Sequence, residues 1–440
     1  MFSRPLVTRI AGVGTAAVLL VALSACSSGG SGGGSGDGSG ASITFTVDNS
    51  PASLASGKAL ITAFEKANPK ITVKLGTRPG GTDGDNLIKT RLSTGDMDDV
   101  FLYNSGSLLQ ALHPDSTLVD LKGQSWTGSL TKEFTTVVST DKGLYGAPWG
   151  TSFGGAVMYN KAVYAKLGLS VPTSWSEFIS NSEKIKAAGI APVIQTFGDT
   201  WTSQLFVLGD FANVLAQQPD WATSYTANKE KYTSAPAVDS FDHQAEVYSK
   251  GLMNKDFASA TNVAGLKMLA EGTGAQYPML TSTIATIQQN YPDKVKDIGV
   301  FAIPADNASD TQLTIWEPNA LYIPKSTTGN KLAAAEKLVA FANSKDGCAV
   351  QNAELTPAGP YATSDCTLPS TVPPLIGDLQ KYIDDKKVAP ALEFLSPIKG
   401  PNLEKITVQV GSGISSASAG AKLYDQDVKQ QAQQLGIPGW

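Results

Sequence analysis

Three tryptophans stand in short polar contexts in which an aromatic ring could meet a ligand. Trp149 lies in GAPWGT, Trp201 in GDTWTS and Trp316 in TIWEPN, among glycine, proline, threonine and acidic residues. A sugar ring packs its C–H face on an indole while its hydroxyls hydrogen-bond to nearby carboxylate, amide and hydroxyl groups. Each tryptophan could equally be a partly buried core residue. Together they favour a site for a hydroxyl-rich ligand.

Little in the sequence supports catalytic chemistry. The only histidines, His113 and His243, do not lie in a metal-ligand spacing such as H-E-x-x-H, so a zinc site or a Ser-His-Asp triad is poorly supported. The glycine pattern GVGTAA lies in an apolar leader and does not predict a dinucleotide site. A glycosidase needs two carboxyl groups about 5–10 Å apart, which a sequence cannot show. We therefore expect no enzyme activity, catalytic residue, metal or cofactor, and keep a glycoside-acting enzyme as the alternative.

The N-terminal residues predict export and lipid attachment. Arg4 and Arg9 precede an apolar stretch that is shorter than the roughly 20 residues of a bilayer-spanning helix, so residues 1–25 are typical of a cleaved signal peptide. The tetrapeptide LSAC, ending at Cys26, resembles the bacterial lipobox, whose cysteine is lipidated; the alternative is an ordinary leader with a chance cysteine. Residues 26–42 then predict a Gly/Ser tether that reaches about 20–25 Å as a random coil. We expect a protein held by lipid at the outer face of the cytoplasmic membrane.

Composition narrows the class of protein further. The chain has 34 Lys and Arg against 39 Asp and Glu, without the clustered basic residues that nucleic acid calls for. Besides Cys26, only Cys348 and Cys366 are present. In an oxidising compartment we expect them to form a disulfide, with two unpaired buried thiols as the alternative. The chain beyond the tether is too long for one ordinary core, which predicts two lobes.

The elements that must position these side chains begin with a βαβ unit. The alternating, β-branched segment ITFTV (residues 43–47) predicts a strand, and Ser50 followed by Pro51 predicts a helix start. The helix is expected to end at Asn68, before ITVKL, which predicts a second strand. The apolar segment DVFLY is typical of a buried parallel strand, so the first lobe is expected to be an α/β, doubly wound unit.

The ends of these strands indicate a ligand site. In doubly wound sheets, ligands bind beyond the carboxyl ends of the strands. This selects Asp48 and Asn49 after the first strand, and Asn104 and Ser105 after DVFLY. Further along the chain, DIGVFAIP and IWEPNALYIP are also typical of strands.

Five longer stretches carry a family resemblance. They are ALITAFEKANPKITVKL, LSTGDMDDVFLYNSGSL, LYGAPWGTSFGGAVMYNKAVYAKLGLSVPTSWSEF, IWEPNALYIPKST and the C-terminal YDQDVKQQAQQLGIPGW. In this order behind a lipobox, they make the chain resemble the family 1 extracellular solute-binding proteins of ABC importers. That group contains the maltose-binding protein and many actinobacterial sugar-binding lipoproteins. The resemblance implies a two-lobed type II fold, in which each lobe has a mainly parallel sheet flanked by helices.

The resemblance also implies the division of the chain and its partners. Lobe 1 would comprise residues 43–149 plus 300–350, and lobe 2 residues 150–299 plus 351–440, with hinge crossings near Pro148–Thr151. Ligand would bind between the lobes, and the membrane permease would recognise the closed form that hinge motion produces. The expected partners are a carbohydrate and the permease subunits, and a monomer is expected.

Family positions that line the cleft carry over to this chain residue by residue. They are the residues after the DVF strand, the loop after YG-P, a mid-chain aromatic and the segment before the late IPK. In this sequence the corresponding residues are Tyr103, Asn104, Ser105, Trp149, Thr151, Phe153, Trp201, Trp316, Glu317 and Asn319.

These features together predict capture of a mono- or oligosaccharide. The same binding role for a peptide, an amino acid or an organic anion is the alternative. An anion would call for arginine in the cleft, and Arg78 and Arg91 are the only arginines beyond the leader. We expect neither at a strand end, which favours a neutral, hydroxyl-rich ligand.

Overall fold

The computed structural model describes residues 40–440, and the predicted signal peptide and the lipidation of Cys26 lie outside them. The strands are β1 (Ala41–Asp48), β2 (Ile71–Arg78), β3 (Val100–Tyr103), β4 (Ala147–Trp149), β5 (Phe153–Asn160), β6 (Ala191–Val193), β7 (Gly274–Leu280), β8 (Ile298–Phe301), β9 (Leu313–Trp316), β10 (Asn319–Tyr322) and β11 (Val388–Pro390). The helices are α1 (Pro51–Ala67), α2 (Gly81–Thr94), α3 (Ser107–Gln110), α4 (Pro114–Thr117), α5 (Lys132–Val137), α6 (Lys161–Leu167), α7 (Trp175–Ala187), α8 (Leu205–Gly209), α9 (Phe211–Gln217), α10 (Trp221–Thr226), α11 (Asp239–Ser249), α12 (Asn262–Glu271), α13 (Ile284–Asn290), α14 (Gly329–Ala342), α15 (Lys345–Glu354), α16 (Pro374–Asp384), α17 (Leu392–Leu395), α18 (Leu403–Gly411) and α19 (Ala417–Gln434).

The first sheet has the strand order β2-β1-β3-β10-β4. Strand β1 runs parallel to β2 and β3, as the predicted βαβ unit requires. Between β1 and β2, α1 starts where the Ser50 side chain accepts a hydrogen bond from the Ser53 backbone N–H at 3.2 Å, with Pro51 in its first turn. It ends at Asn68, as predicted. The tether predicted to run to residue 42 is shorter, because Ala41 already pairs with β2.

The second sheet has the order β11-β9-β5-β7-β6, and β8 also pairs with β5. All eight residues of the central strand β5 are buried. The expectation of a mainly parallel sheet is wrong here, because β5 is antiparallel to β7, β8 and β9. Strand direction depends on how the helical connections return the chain to the sheet, and hydrophobic periodicity does not report that. The α/β class itself is confirmed.

The predicted division into lobes needs correction at both later boundaries. Residues 300–316 were assigned to lobe 1, but β8 and β9 pair with β5 of the second sheet, and the chain returns to the first sheet only at Asn319. Residues after 350 were assigned to lobe 2, but α15 packs against α1, and Thr363 pairs with Leu130 of lobe 1. In each case, the lobe to which a strand or helix belongs depends on the element that packs against it. That element lies far away in the sequence.

Cys348 and Cys366 are joined by a disulfide, with 5.3 Å between their Cα atoms. Cys348 lies on α15, and Cys366 lies in the loop that precedes α16 of the second lobe. The bond therefore closes the loop in which the chain leaves lobe 1 for the last time.

Among the helices of residues 40–440, none combines the length and the apolar character that a bilayer span requires.

We expect the double variant Cys348→Ala/Cys366→Ala to lose about 3 kcal/mol of unfolding free energy, because the disulfide limits the unfolded chain across a short loop. The measurement is urea denaturation followed by circular dichroism. Reductant should lower the midpoint of the wild type and leave the double variant unchanged. Equal midpoints for the two proteins under oxidising conditions would contradict the prediction.

Candidate ligand-binding cleft

Two short segments of the chain, the crossings, run side by side from one sheet to the other. In the first, β4 ends at Trp149 and β5 begins at Phe153. In the second, β9 ends at Trp316 and β10 begins at Asn319. Trp149 pairs with Asn319 in the first sheet, and Phe153 pairs with Trp316 in the second. The crossings are thus held in register on both sides, and the first of them lies where the sequence analysis placed the hinge.

The first crossing is hydrogen-bonded to α15 and to the segment that follows α15. Gly150 has φ +100°, a conformation that favours glycine. Its N–H donates to the Gln351 side-chain oxygen at 2.8 Å. The Thr151 hydroxyl accepts a hydrogen bond from the Ala358 N–H at 3.0 Å. Thr151 therefore uses its hydroxyl to hold this segment against the hinge.

Trp316 is held tightly on the second-lobe side. Its ring lies nearly parallel to that of Phe153, with centroids 6.4 Å apart. A Cβ placed on Gly155 would lie 2.3 Å from a Trp316 ring carbon, so only glycine lets the indole lie flat on β5. The indole N–H donates to a Glu393 carboxylate oxygen at 2.5 Å. These contacts leave 6% of Trp316 exposed.

On the first-lobe side, the end of β3 carries a buried polar group. The hydroxyl of the fully buried Tyr103 donates to Asp85 on α2 at 2.9 Å. Burial, together with Asp85, raises the Tyr103 pKa well above its ordinary value. The Arg78 guanidinium lies 5.2 Å from the centre of the same ring, within range of a cation–π contact.

Arg78 corrects one step of the sequence argument. It was not expected at a strand end, yet it is the last residue of β2, opposite Asp48 of β1. The strand continues three residues beyond the predicted ITVKL because its backbone keeps pairing with β1 as far as Asp48. The absence of arginine from strand ends therefore no longer argues for a neutral ligand.

Several predicted residues at the strand ends also bond within the protein. The Asp48 carboxylate accepts hydrogen bonds from the Ser50 N–H and the Ser53 hydroxyl, so it helps to start α1. Asn49 is exposed. The Ser105 hydroxyl donates to the Pro318 carbonyl oxygen at 3.1 Å, which ties β3 to the second crossing.

The Asn104 backbone joins the same end of the sheet. Its carbonyl oxygen accepts a hydrogen bond from the Tyr322 hydroxyl at 3.0 Å.

The two lobes touch at the mouth of the cleft. The Glu404 carboxylate on α18 accepts hydrogen bonds from the Thr82 N–H of α2 at 3.4 Å and from the Thr200 hydroxyl at 3.1 Å. The Thr82 hydroxyl donates to the Pro401 carbonyl oxygen at 2.9 Å. A Cβ on Gly80 would lie 3.8 Å from the Trp201 ring, which approaches from the second lobe. The lobes are therefore in a closed arrangement, with Trp201 at the contact.

A family model supports this architecture. The model described as "Bacterial extracellular solute-binding protein" matches residues 48–347. The chain belongs to this family.

Relatives and solved structures agree with that assignment. A multiple sugar-binding protein from Streptococcus mutans is 30% identical over 149 residues, and the match spans about a third of either chain (34%). A chitin oligosaccharide binding protein has TM-score 0.77 at 18% identity, covering 90% of this chain and 100% of that one. A complex of the solute-binding protein RafE with raffinose has TM-score 0.72 at 19% identity, covering 90% and 99%. At these identities the structural likeness shows the fold, which is the two-lobed fold of such receptors.

In this solute-binding protein, the predicted residues form two groups. The residues at the crossings lie together between the two sheets. Those after β1 and β3 lie at the carboxyl edge of the first sheet, and Trp201 lies on the other side of the cleft mouth. Their contact with ligand stays a prediction. The sequence reasoning missed Asp85, Glu393 and Glu404, whose polar partners lie on other elements. For Arg78 a signal existed, since it is one of two arginines beyond the leader.

Glu317 at the second crossing makes the stability of the receptor depend on pH. Burial raises the Glu317 pKa to about 7, although the Ser152 hydroxyl, 3.4 Å away, lowers it. The charge of Glu133 adds to the rise. The pKa of a Glu in an unfolded chain is roughly 4.3. Between that pH and about 7, the folded protein therefore holds a proton that the unfolded chain has released. The stabilisation from this group is complete below about pH 4 and is lost as the pH rises to about 7.

We therefore expect Glu317→Gln to be more stable than the wild type at pH 8 and equal to it near pH 4. Thermal unfolding across this range measures the difference. The matched control is Glu183→Gln on α7, which replaces an exposed acid. A Glu317→Gln curve that runs parallel to the wild type at every pH would refute the assignment.

Proposed function

We propose that this chain is the sugar-binding receptor of an ABC importer, which captures a mono- or oligosaccharide between its lobes and delivers it to the permease. The observation that carries the proposal is the position of two aromatic residues at the paired crossings. Trp149 ends a strand of the first sheet, and Trp316 ends a strand of the second. A ligand shifts an open-to-closed equilibrium only by its differential affinity for the two states. Rings carried by opposite lobes supply that difference, since both can contact one sugar only after closure.

The other predicted residues complete the proposed site. Tyr103, Trp201 and Phe153 add aromatic surface, and Asn49, Glu317 and Asn319 add hydroxyl-binding groups. Asp48, Asn104, Ser105 and Thr151 border the ligand while they hold the strand ends and the hinge in place. Asp85 joins the set through its hydrogen bond with Tyr103.

A sugar is the ligand class with the broadest support. The Streptococcus mutans relative is a multiple sugar-binding protein, and RafE was solved with raffinose. A transporter protein from Bacillus licheniformis, solved with stachyose, has TM-score 0.72 at 17% identity and covers 89% of this chain and 100% of that one. Because Arg78 ends β2, the panel of test ligands should include a uronic acid as well as neutral sugars.

The proposal extends to the location and the partners of the protein. A lipid on Cys26 anchors the receptor to the outer face of the cytoplasmic membrane, and the Gly/Ser tether lets a monomeric body reach its permease. The protein binds without chemistry of its own. Incubation with a fluorescently labelled oligosaccharide tests this last point, since release of a shorter labelled product would establish a glycoside-acting enzyme instead.

We expect the double variant Trp149→Ala/Trp316→Ala to bind sugar at least tenfold more weakly, since each indole offers about 1.5–3 kcal/mol of apolar contact. A thermal-shift panel of raffinose, stachyose, chitin oligosaccharides and glucuronate first identifies the ligand, and calorimetry then measures the affinity. Trp440→Phe, at the C-terminus, is the matched control. Unchanged affinity in the double variant would reject these contacts, and a shift with non-sugar solutes alone would reject the ligand class.

The Glu404 contact predicts how closure contributes to affinity. The carboxylate meets the N-terminus of α2, where a negative charge is favoured by about 0.3–1 kcal/mol. We expect Glu404→Gln to weaken sugar binding about two- to fivefold, because the closed state becomes less populated. Calorimetry measures the affinity, and small-angle scattering should report a larger radius of gyration.

The control for Glu404 is Asp83→Asn, which removes an exposed charge from the first turn of α2. It should bind and scatter like the wild type. If both variants weaken binding equally, the charge of the helix rather than the interlobe contact is responsible.

A further inference from the structure

Glu393 is a buried acid with two dedicated partners. Only 9% of the residue is exposed. One carboxylate oxygen accepts the Trp316 N–H at 2.5 Å, and the other lies 3.7 Å from the Lys399 ammonium. Burial raises the Glu393 pKa, while Lys399 and the Trp316 hydrogen bond lower it. Burying a carboxylate is costly unless it is paired and hydrogen-bonded, so these contacts are what makes an acid tolerable at this position.

The hydrogen bond selects the orientation of the Trp316 indole. The N–H is the single polar group of Trp316, and a bond to it selects one orientation of the ring. Trp316, Glu393 and Lys399 line the same small pocket, whose other walls include Tyr232 and Tyr424. Without its acceptor, the buried N–H loses its partner, and the ring is no longer held in this one orientation beside Phe153.

The turn that carries Glu393 also contacts the first lobe. A Cβ on Gly106 would lie 2.6 Å from the Glu393 carbonyl oxygen and 2.7 Å from a ring carbon of Phe394. Phe394 packs against the hydrophobic core of each lobe. Gly106 follows Asn104 and Ser105, the residues after β3. Opening of the cleft would therefore remove the support for α17 that comes from the first lobe.

We propose that Glu393 is a positioning residue that couples lobe closure to the orientation of Trp316, and that it sets sugar affinity through that indole. Its side chain holds the ring, and its main chain rests on the first lobe only when the cleft is closed. The role of Trp316 as a sugar contact rests on the proposed function. The coupling of Glu393 to the indole does not.

The experiment uses full-length protein labelled with 5-fluorotryptophan. Fluorine NMR resolves the tryptophans, and Trp316→Phe assigns the resonance of Trp316. In the absence of sugar, Glu393→Ala should shift and broaden this resonance. Glu393→Gln should restore most of the wild-type signal, because an amide oxygen can still accept the indole N–H. Raffinose affinity, measured by calorimetry, should fall about tenfold in Glu393→Ala and less than threefold in Glu393→Gln.

The chain contains a matched control. In the second lobe, the Trp175 N–H donates to the Glu246 carboxylate at 2.7 Å. Glu246→Gln should move the Trp175 resonance and leave raffinose affinity unchanged, because Trp175 packs on Phe178 and His243 inside that lobe.

The outcomes separate this inference from the proposed function. A Trp316 resonance that is unchanged in both Glu393 variants would overturn the positioning role. If the resonance moves as expected but raffinose does not bind the wild type, affinity is measured with the sugar that gives the largest thermal shift. If no sugar binds, the proposed function fails and the coupling of Glu393 to Trp316 stands. If Glu393→Ala does not fold, the Glu393→Gln variant tests the positioning role. A raffinose affinity in Glu393→Gln as low as that of Trp316→Phe would show that the amide does not replace the carboxylate, and would overturn the positioning role.

Discussion

The structure depends on backbone hydrogen bonding at two neighbouring chain crossings. Strands β4 and β10 pair in the first sheet, and their continuations β5 and β9 pair in the second. Each crossing is only a few residues long, so every side chain in it has a fixed distance to both sheets. This constraint places aromatic residues from both lobes next to one hinge. Hinge closure concentrates its change of dihedral angles in the few residues that pass between lobes, which here are these two crossings and the passage from α15 to α16.

Away from the two crossings, polar groups help to join the lobes. Glu404 meets the N-terminus of α2, and the Glu393 carbonyl oxygen abuts Gly106. Such contacts are weak individually, because water competes for the same groups when the cleft opens. A receptor must release its ligand, and modest closure contacts leave the ligand as the deciding contribution. Apolar contact joins the lobes as well, through Phe394, which packs against both cores.

Sequence reasoning succeeded where structure is local. The start of α1 at Ser50 and Pro51 and its end at Asn68 follow from capping and proline geometry, which involve neighbouring residues. The βαβ unit followed from periodicity and length. Sequence reasoning failed for IWEPNALYIP. The first half of this stretch lies in β9 of one sheet, and the second half lies in β10 of the other. Nothing in the local pattern shows that Glu317 and Pro318 separate two sheets.

The sequence alone determined the α/β class, the family and the place of the first crossing between the sheets, because each depends on short-range patterns and on the order of characteristic stretches along the chain. The tertiary structure alone decided to which lobe residues 300–316 belong, that Arg78 ends a strand, and that Glu393 and Glu404 bind Trp316 and Thr82. Thr82 and Glu404 are 322 residues apart in sequence. The energetic value of a buried charge depends on the partner that desolvates and pairs it, and that partner is chosen by the fold.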